Sequence, residues 1–468
     1  MKPYYRAALC FGLAAIGIAA EFSPARPQTS KAQAKVDKVG TIDNGQIKLG
    51  VNLDLGGAII YLSKSGSDVN VVNSFDWGRQ IQMSHYSGPN PFMPNGKQPK
   101  KEWAGLGWNP IQSGDAFGNR SKIIDYTNDG KSIYVKSVPM QWPLDNEPGE
   151  CTFECWIHLE GKTAHVRSRL NNHRSDMTQY PGRSQELPAI YTNGPWYRLM
   201  TYKGDKPFTN DVLTEIPQVA PNASFPWAHW FATENWAALV DNSGFGLGVW
   251  EPGVCSFLGG FVGKQGVGGP KDGPTGYIAP LHDEVIDHNI EYEYSYVLIL
   301  DTLAEIRRYV TTHSAKGRLP DYRFMHDRQH WHYANGTDTG WPIHGQLNIP
   351  FNGQNIELHS PAALWKAGSA PTLVIEASYQ ASAGQGGVYW KRSDAPEFSA
   401  QRHLTFDINP DGKFHTYRIS LAASPEYRGV ITGLRVDAAP GAKQGELVRI
   451  KRIALVSKDS EKSHEQHR

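Results

Sequence analysis

Short runs that alternate apolar and polar side chains, or run apolar throughout, recur along almost the whole chain, and each is closed by a tight-turn signal. IKLGVNLDLGGAIIYLS (47–63), SIYVKSVPMQW (132–142), CTFECWIHLEGKTAHVRSRL (151–170), WAALVDNSGFGLGVW (236–250) and IEYEYSYVLIL (290–300) are punctuated by DG, EG, NSG and SGS. Such a pattern leaves room for little besides antiparallel sheets. It breaks once, at DTLAEIRRYVTTHSAKG (301–317), where Thr302 and Glu305 form a capping box, Leu303, Ile306 and Val310 share a face, and Gly317 stops the helix before Pro320. Strands then resume with TLVIEASYQA, HLTFDI, FHTYRISL, GVITGLRVD and LVRIKRIALVS.

A chain of 468 residues exceeds what one hydrophobic core serves, and the helix stop marks the expected break, between Gly317 and Tyr322. The expected organisation is a leader over 1–34, a large antiparallel β-sandwich over 35–320, a jelly roll over 321–457 and a charged, disordered tail over 458–468. The leader rests on a basic start, an apolar run from Ala7 to Ala20 and Ala32-Gln33-Ala34, the form at which signal peptidases cut. About 14 apolar residues fall short of the roughly 20 that span a bilayer. The mature chain is therefore expected to be secreted or periplasmic, with no membrane span.

Charge excludes one class of partner. The chain carries 47 Lys and Arg against 46 Asp and Glu without a basic run, so it lacks the clustered cations that nucleic acid requires. Its 14 Trp and 21 Tyr suit sugar faces, where rings stack on C–H groups and polar tips bond hydroxyls. Of the three cysteines beyond the leader, Cys151 and Cys155 stand four apart in one strand, roughly 13 Å, and cannot bridge each other. Three buried thiols, including Cys255, are expected.

Residues 40–316, with GGAIIYLS, VNSFDWGRQIQ and WAALVDNSGFGLGVW, resemble the supersandwich of galactose-mutarotase-like domains. Residues 321–457, with DINPDGKFHTYRISL, YRGVITGLRVD and VRIKRIALV, are similar to the galactose-binding-like jelly rolls of secreted carbohydrate-active enzymes. The resemblance implies an all-β fold and a sugar ligand. No aldose-epimerase or lyase motif matches residue by residue, so no catalytic residue is carried over from it.

Candidate site residues come instead from clusters. FDWGRQIQMSHYSG (75–88) reads as a strand with Arg79, Ile81, Met83 and His85 on one side and Gln80, Gln82, Ser84 and Tyr86 on the other, an amide and hydroxyl face suited to a glycan. The stretch 171–202, too long and aromatic for an idle turn, offers His173, Arg174, Asp176, Tyr180, Glu186, Tyr191 and Asn193. PWAHWFATENW adds His229, Trp230 and Glu234, and WAGLGWNP adds Trp103 and Trp108. Glycoside hydrolysis needs a proton donor and a second carboxylate, roles open to Glu186 with Asp176 or Glu234. Elimination needs a base such as His173 or Tyr180 and a cation such as Arg174 to neutralise a uronate. Arg174 and Asp176 pairing to brace their loop is the bland alternative.

HDRQHWHY places His330 and His332 two apart, a spacing that can turn both imidazoles to one metal, although no third ligand stands at a motif spacing. A polar, aromatic seam is the favoured reading there, and a charged turn is favoured for LHDEVIDHN (281–289). The sequence requires no cofactor and leaves a divalent cation open. The expected function is a secreted carbohydrate-active enzyme acting on a poly- or oligosaccharide, a glycoside hydrolase or polysaccharide lyase. A sugar epimerase and a non-catalytic glycan-binding protein are the alternatives.

Overall fold

The computed structural model describes residues 38–218, 227–315 and 317–457; the expected leader and tail lie outside the described residues. The fold is all-β. Strands from Val39–Asp43 through Glu291–Thr302 build two nine-stranded sheets, and strands from Asp321–Arg323 through Leu447–Val456 build a five- and a six-stranded sheet. Every strand pairing is antiparallel, as short runs joined by tight turns dictate.

In the first sheet the order runs Val39–Asp43, Ile47–Asn52, Ile59–Lys64, Ile81–Gln82, Ala189–Asn193, Thr275–Glu284, Ser256–Val262, Trp227–Phe231, with Arg183–Glu186 also paired to Thr275–Glu284. Alternation sends Leu49, Leu62, Ile190, Phe257 and Ile278 inward, against Phe153, Val166, Leu170, Leu239 and Leu298 of the second sheet. Each such side chain, removed fully from water, contributes about 1.5–3 kcal/mol. Cys151, Cys155 and Cys255 are buried free thiols.

Leu303–His313 is the single α-helix among the described residues. The Thr302 hydroxyl accepts from the Glu305 amide at 3.4 Å, and Ile306 and Val310 bury against Trp236, Trp250 and Ile299 of the second sheet. A separate core, around Trp331, Tyr379 and Trp390, fills the space between the last two sheets. No helix among the described residues is long and apolar enough to cross a membrane.

The 75–88 stretch departs from its expected form. Regular strand is confined to Ile81–Gln82, and Gln80, Gln82 and Ser84 are buried. Gln80 Nε2 donates to the Asp76 carbonyl at 2.7 Å, Gln82 Nε2 to the Trp77 carbonyl at 3.0 Å, and Asn109 Nδ2 to Ser84 Oγ at 3.2 Å. The first residues of the stretch are themselves irregular, and their backbone carbonyls need partners. The amides serve the protein's own chain and are closed to a glycan.

Candidate functional site: the outer face of the first sheet

Because odd-numbered residues of Thr275–Glu284 oppose the core-facing ones, Tyr277, Ala279, Leu281 and Asp283 lie on the sheet's outer face. Register extends that face sideways. Tyr191 stands opposite Tyr277, Glu186 opposite Leu281, Ser184 opposite Asp283, Leu258 opposite Ala279, and His229 opposite Leu258. The Tyr277 ring lies 4.6 Å from that of Tyr191 and 4.9 Å from that of Trp227, making one aromatic row.

At the end of the row the Tyr277 hydroxyl donates to Glu186 Oε2. Burial raises the Glu186 carboxyl above the ordinary carboxylate range, and the Tyr277 hydrogen bond offsets only part of the shift. Tyr86 and Tyr191 are close enough that the Glu186 charge, after burial, helps raise both phenols. The His229 imidazole meets Ser256 Oγ at 2.9 Å; burial lowers its pKa and the nearby Asp283 opposes the shift. The rim is closed by His332, whose Cβ lies 2.7 Å from where a Cβ on Gly182 would stand, so only glycine permits that approach.

The structure thus brings Glu186, Tyr86, Tyr191 and His229 together and adds Tyr277, Trp227 and Asp283, which the sequence did not single out, and His332, which it had offered only as a metal ligand. The remaining candidates lie elsewhere. Glu234 is fully buried, bonded by Arg307 at 2.8 and 3.0 Å and by Trp236 Nε1 at 3.1 Å; it is a core ion pair closed to a ligand. His85, Trp108 and Trp230 are interior, His85 against Phe153, Tyr292 and Tyr294, where burial lowers its pKa to about 3 and keeps it neutral.

Arg174 is buried and donates to the carbonyls of Gly88, Asp176 and Thr178 at 2.9–3.0 Å, while Tyr180 donates to Asp176 Oδ2 at 2.7 Å. Arg174 and Asp176 therefore brace the loop, Arg174 through the Asp176 carbonyl and the Asp176 carboxylate through Tyr180 and the Thr178 amide. His173 is exposed at the end of Thr163–Asn172, Asn193 donates to the Asn70 carbonyl at 2.7 Å, and Trp103 packs edge-on to Trp142 at 5.8 Å.

A second polar group lies between the sheets, at their end nearest Trp331. His282, Glu284, Glu251 and Tyr292 converge there with His330, at the edge of a cleft of about 1480 Å³ that Trp250, Trp341 and Trp365 also line. His330 and His332 do not converge as a His-x-His pair. Gln329 and His330 adopt φ of 47° and 64°, and the chain turns so that His332 faces His359 at 5.4 Å while His330 meets Glu284.

Solved structures similar to the chain include galactose-mutarotase-like proteins and others. They include a galactose mutarotase related enzyme from Lactobacillus acidophilus, at 14% identity over 56% of this chain and 97% of that one, with a TM-score of 0.35. A galactose mutarotase-like protein from Lactobacillus casei matches at 13% identity over 56% and 100%, with a TM-score of 0.37. The 4-alpha-glucanotransferase from Thermococcus litoralis matches at 10% over 58% and 38%, with a TM-score of 0.33. The likeness is one of fold. At these identities it carries nothing about activity. No family model matches the sequence, and neither does any curated protein.

Proposed function

We propose that the chain is an exported carbohydrate-active enzyme that hydrolyses glycosidic bonds on the outer face of the first sheet, with Glu186 as proton donor and Asp283 as the second carboxylate. One observation carries this reading: Glu186 pairs with Leu281 and Ser184 with Asp283, so the two acids are diagonal neighbours on one face. Diagonal neighbours have backbones roughly 7–8 Å apart, from which two side chains on one face can bring their carboxyl groups to the separations of about 5–5.5 or 6.5–9.5 Å at which paired carboxylates cleave glycosides.

Their environments differ as the two roles require. Burial raises the Glu186 carboxyl, as suits a proton donor, whereas Asp283 stands near His229 and His332, whose charged forms it favours. The half-buried rings of Tyr191 and Trp227, packed on the buried Tyr277, supply apolar ring surface beside them for the flat face of a sugar.

The test is a polysaccharide panel read for new reducing ends and for unsaturated-uronate absorbance. Hydrolysis by the parent, lost by at least ~100-fold in Asp283→Asn with melting temperature held, is the expected result. Unsaturated products, or an Asp283→Asn variant as fast as the parent, would overturn the assignment in favour of elimination or another site. Export predicts a mature N-terminus at Lys35, which sequencing of secreted material checks.

A further inference from the structure

The inner side of Thr275–Glu284 holds the second polar group, with its back to Glu186 and Asp283. We propose that His282, Glu284 and His330 bind a first-row transition dication of zinc's class, reached from the cleft. His282 Nδ1 and His330 Nδ1 face each other at 3.4 Å, Glu284 Oε1 lies 4.0 Å from His282 Nδ1, and Glu284 Oε1 also contacts His330 Nδ1. These three ligand atoms all fall within 4.8 Å of one another. Bonds of about 2.0–2.1 Å in a tetrahedral site place ligand atoms roughly 3.3 Å apart, so the His282 to His330 edge already fits. A small rotation of the His330 ring, 40% of whose side chain is exposed, would open the Glu284 contact to the length a bound metal needs.

Two imidazole nitrogens facing each other are satisfied either by one N–H donating to the other's lone pair or by a cation held between two lone pairs and the carboxylate. The neighbours favour a metal ion over a shared proton. Glu251 Oε1 stands 3.0 Å from His282 Nε2, out of line for a hydrogen bond, but its negative charge favours the ring proton on that nitrogen and so leaves the Nδ1 lone pair for a metal. The Tyr292 hydroxyl donates to that same Glu284 Oε1 at 2.9 Å and stands 3.5 Å from His282 Nδ1, holding the carboxylate at the edge of the group. Both are the outer contacts that metal-ligating histidines and carboxylates characteristically carry. Two imidazoles and one carboxylate suit zinc and its neighbours and suit the all-oxygen preference of calcium or magnesium poorly. A second grouping, His158, Glu160 and His165, serves as a control, because its two rings stack face to face at 4.8 Å on the surface.

The experiment uses untagged full-length protein dialysed against chelator and titrated calorimetrically with zinc chloride, then with Co²⁺ to read visible d–d absorption. One site per chain with a micromolar or tighter Kd and a raised melting temperature is expected. His330→Gln, at a partly exposed side chain, should fold as the parent does and lose measurable binding. Glu251→Gln should weaken binding about 10–100-fold, and His165→Gln should leave it unchanged. Absence of uptake by the parent, parental affinity in His330→Gln, or loss of the site in His165→Gln would each overturn the proposal. Binding is read directly here, so its failure is distinct from a failure of the hydrolytic reading on the opposite face.

Discussion

Glu186→Gln should lower kcat by at least ~100-fold on any substrate the parent cleaves, with KM and melting temperature close to the parent's. Glutamine keeps the volume and can still accept from Tyr277, so the packing survives while the transferable proton is lost. The pH profile gives a second reading. As general acid Glu186 must be protonated, and burial raises its pKa, so kcat/KM should fall as pH rises through that raised value, later than for an exposed carboxyl. The Tyr277 hydroxyl favours the ionised form, so Tyr277→Phe should move the alkaline limb to still higher pH. A Glu186→Gln variant with near-parental turnover would remove the acid from this face.

The second large effect is one of stability. Arg328 is buried and bonds Asp287 Oδ2 at 2.5 Å and Asp338 at 2.6 and 2.7 Å, and Gln179 donates to both carboxylates at 2.8 Å. Arg328→Met would strand two carboxylates out of water. It should cost about 3–5 kcal/mol, seen as a lowered denaturation midpoint in urea or heat. Burial opposes ionisation of Asp338, but Arg328 overrides it and holds the pKa below its ordinary value. Stability from a depressed carboxyl is present above its unfolded pKa and is lost as pH falls. The gap between parent and variant should therefore narrow below about pH 4, where the unfolded carboxyl begins to take its proton. A loss under 1 kcal/mol at neutral pH would show that the triad is solvated in solution.

The two sites were legible to different depths. The helix was readable because its signals are local: a cap, an apolar face and a stop within one stretch of sequence. Glu186 stood out for the same reason, beside Leu187 and Pro188 in an aromatic loop. Asp283 did not, because its value comes from opposing Ser184 across a strand pair about a hundred residues away in sequence. His282 and His330 lay in two stretches that each read as a charged turn or a polar seam, and only the sheets bring rings 48 residues apart to 3.4 Å. The amides of Gln80 and Gln82 misled for the opposite reason. Alternation identifies which way a side chain points but not whether irregular backbone will cover it.

The segment Leu281-His282-Asp283-Glu284 has one consequence for how this protein can change over time. Its odd positions face the aromatic row and its even positions face the cleft, so four consecutive codons shape both the proposed hydrolytic face and the proposed metal site. Inserting or deleting a single residue upstream in that strand would exchange the two sets at one stroke, setting Asp283 among the interior histidines and Glu284 among the tyrosines. Gradual drift is closed to it. Variation in length must collect in the turns at either end, and the two faces are bound to be inherited together.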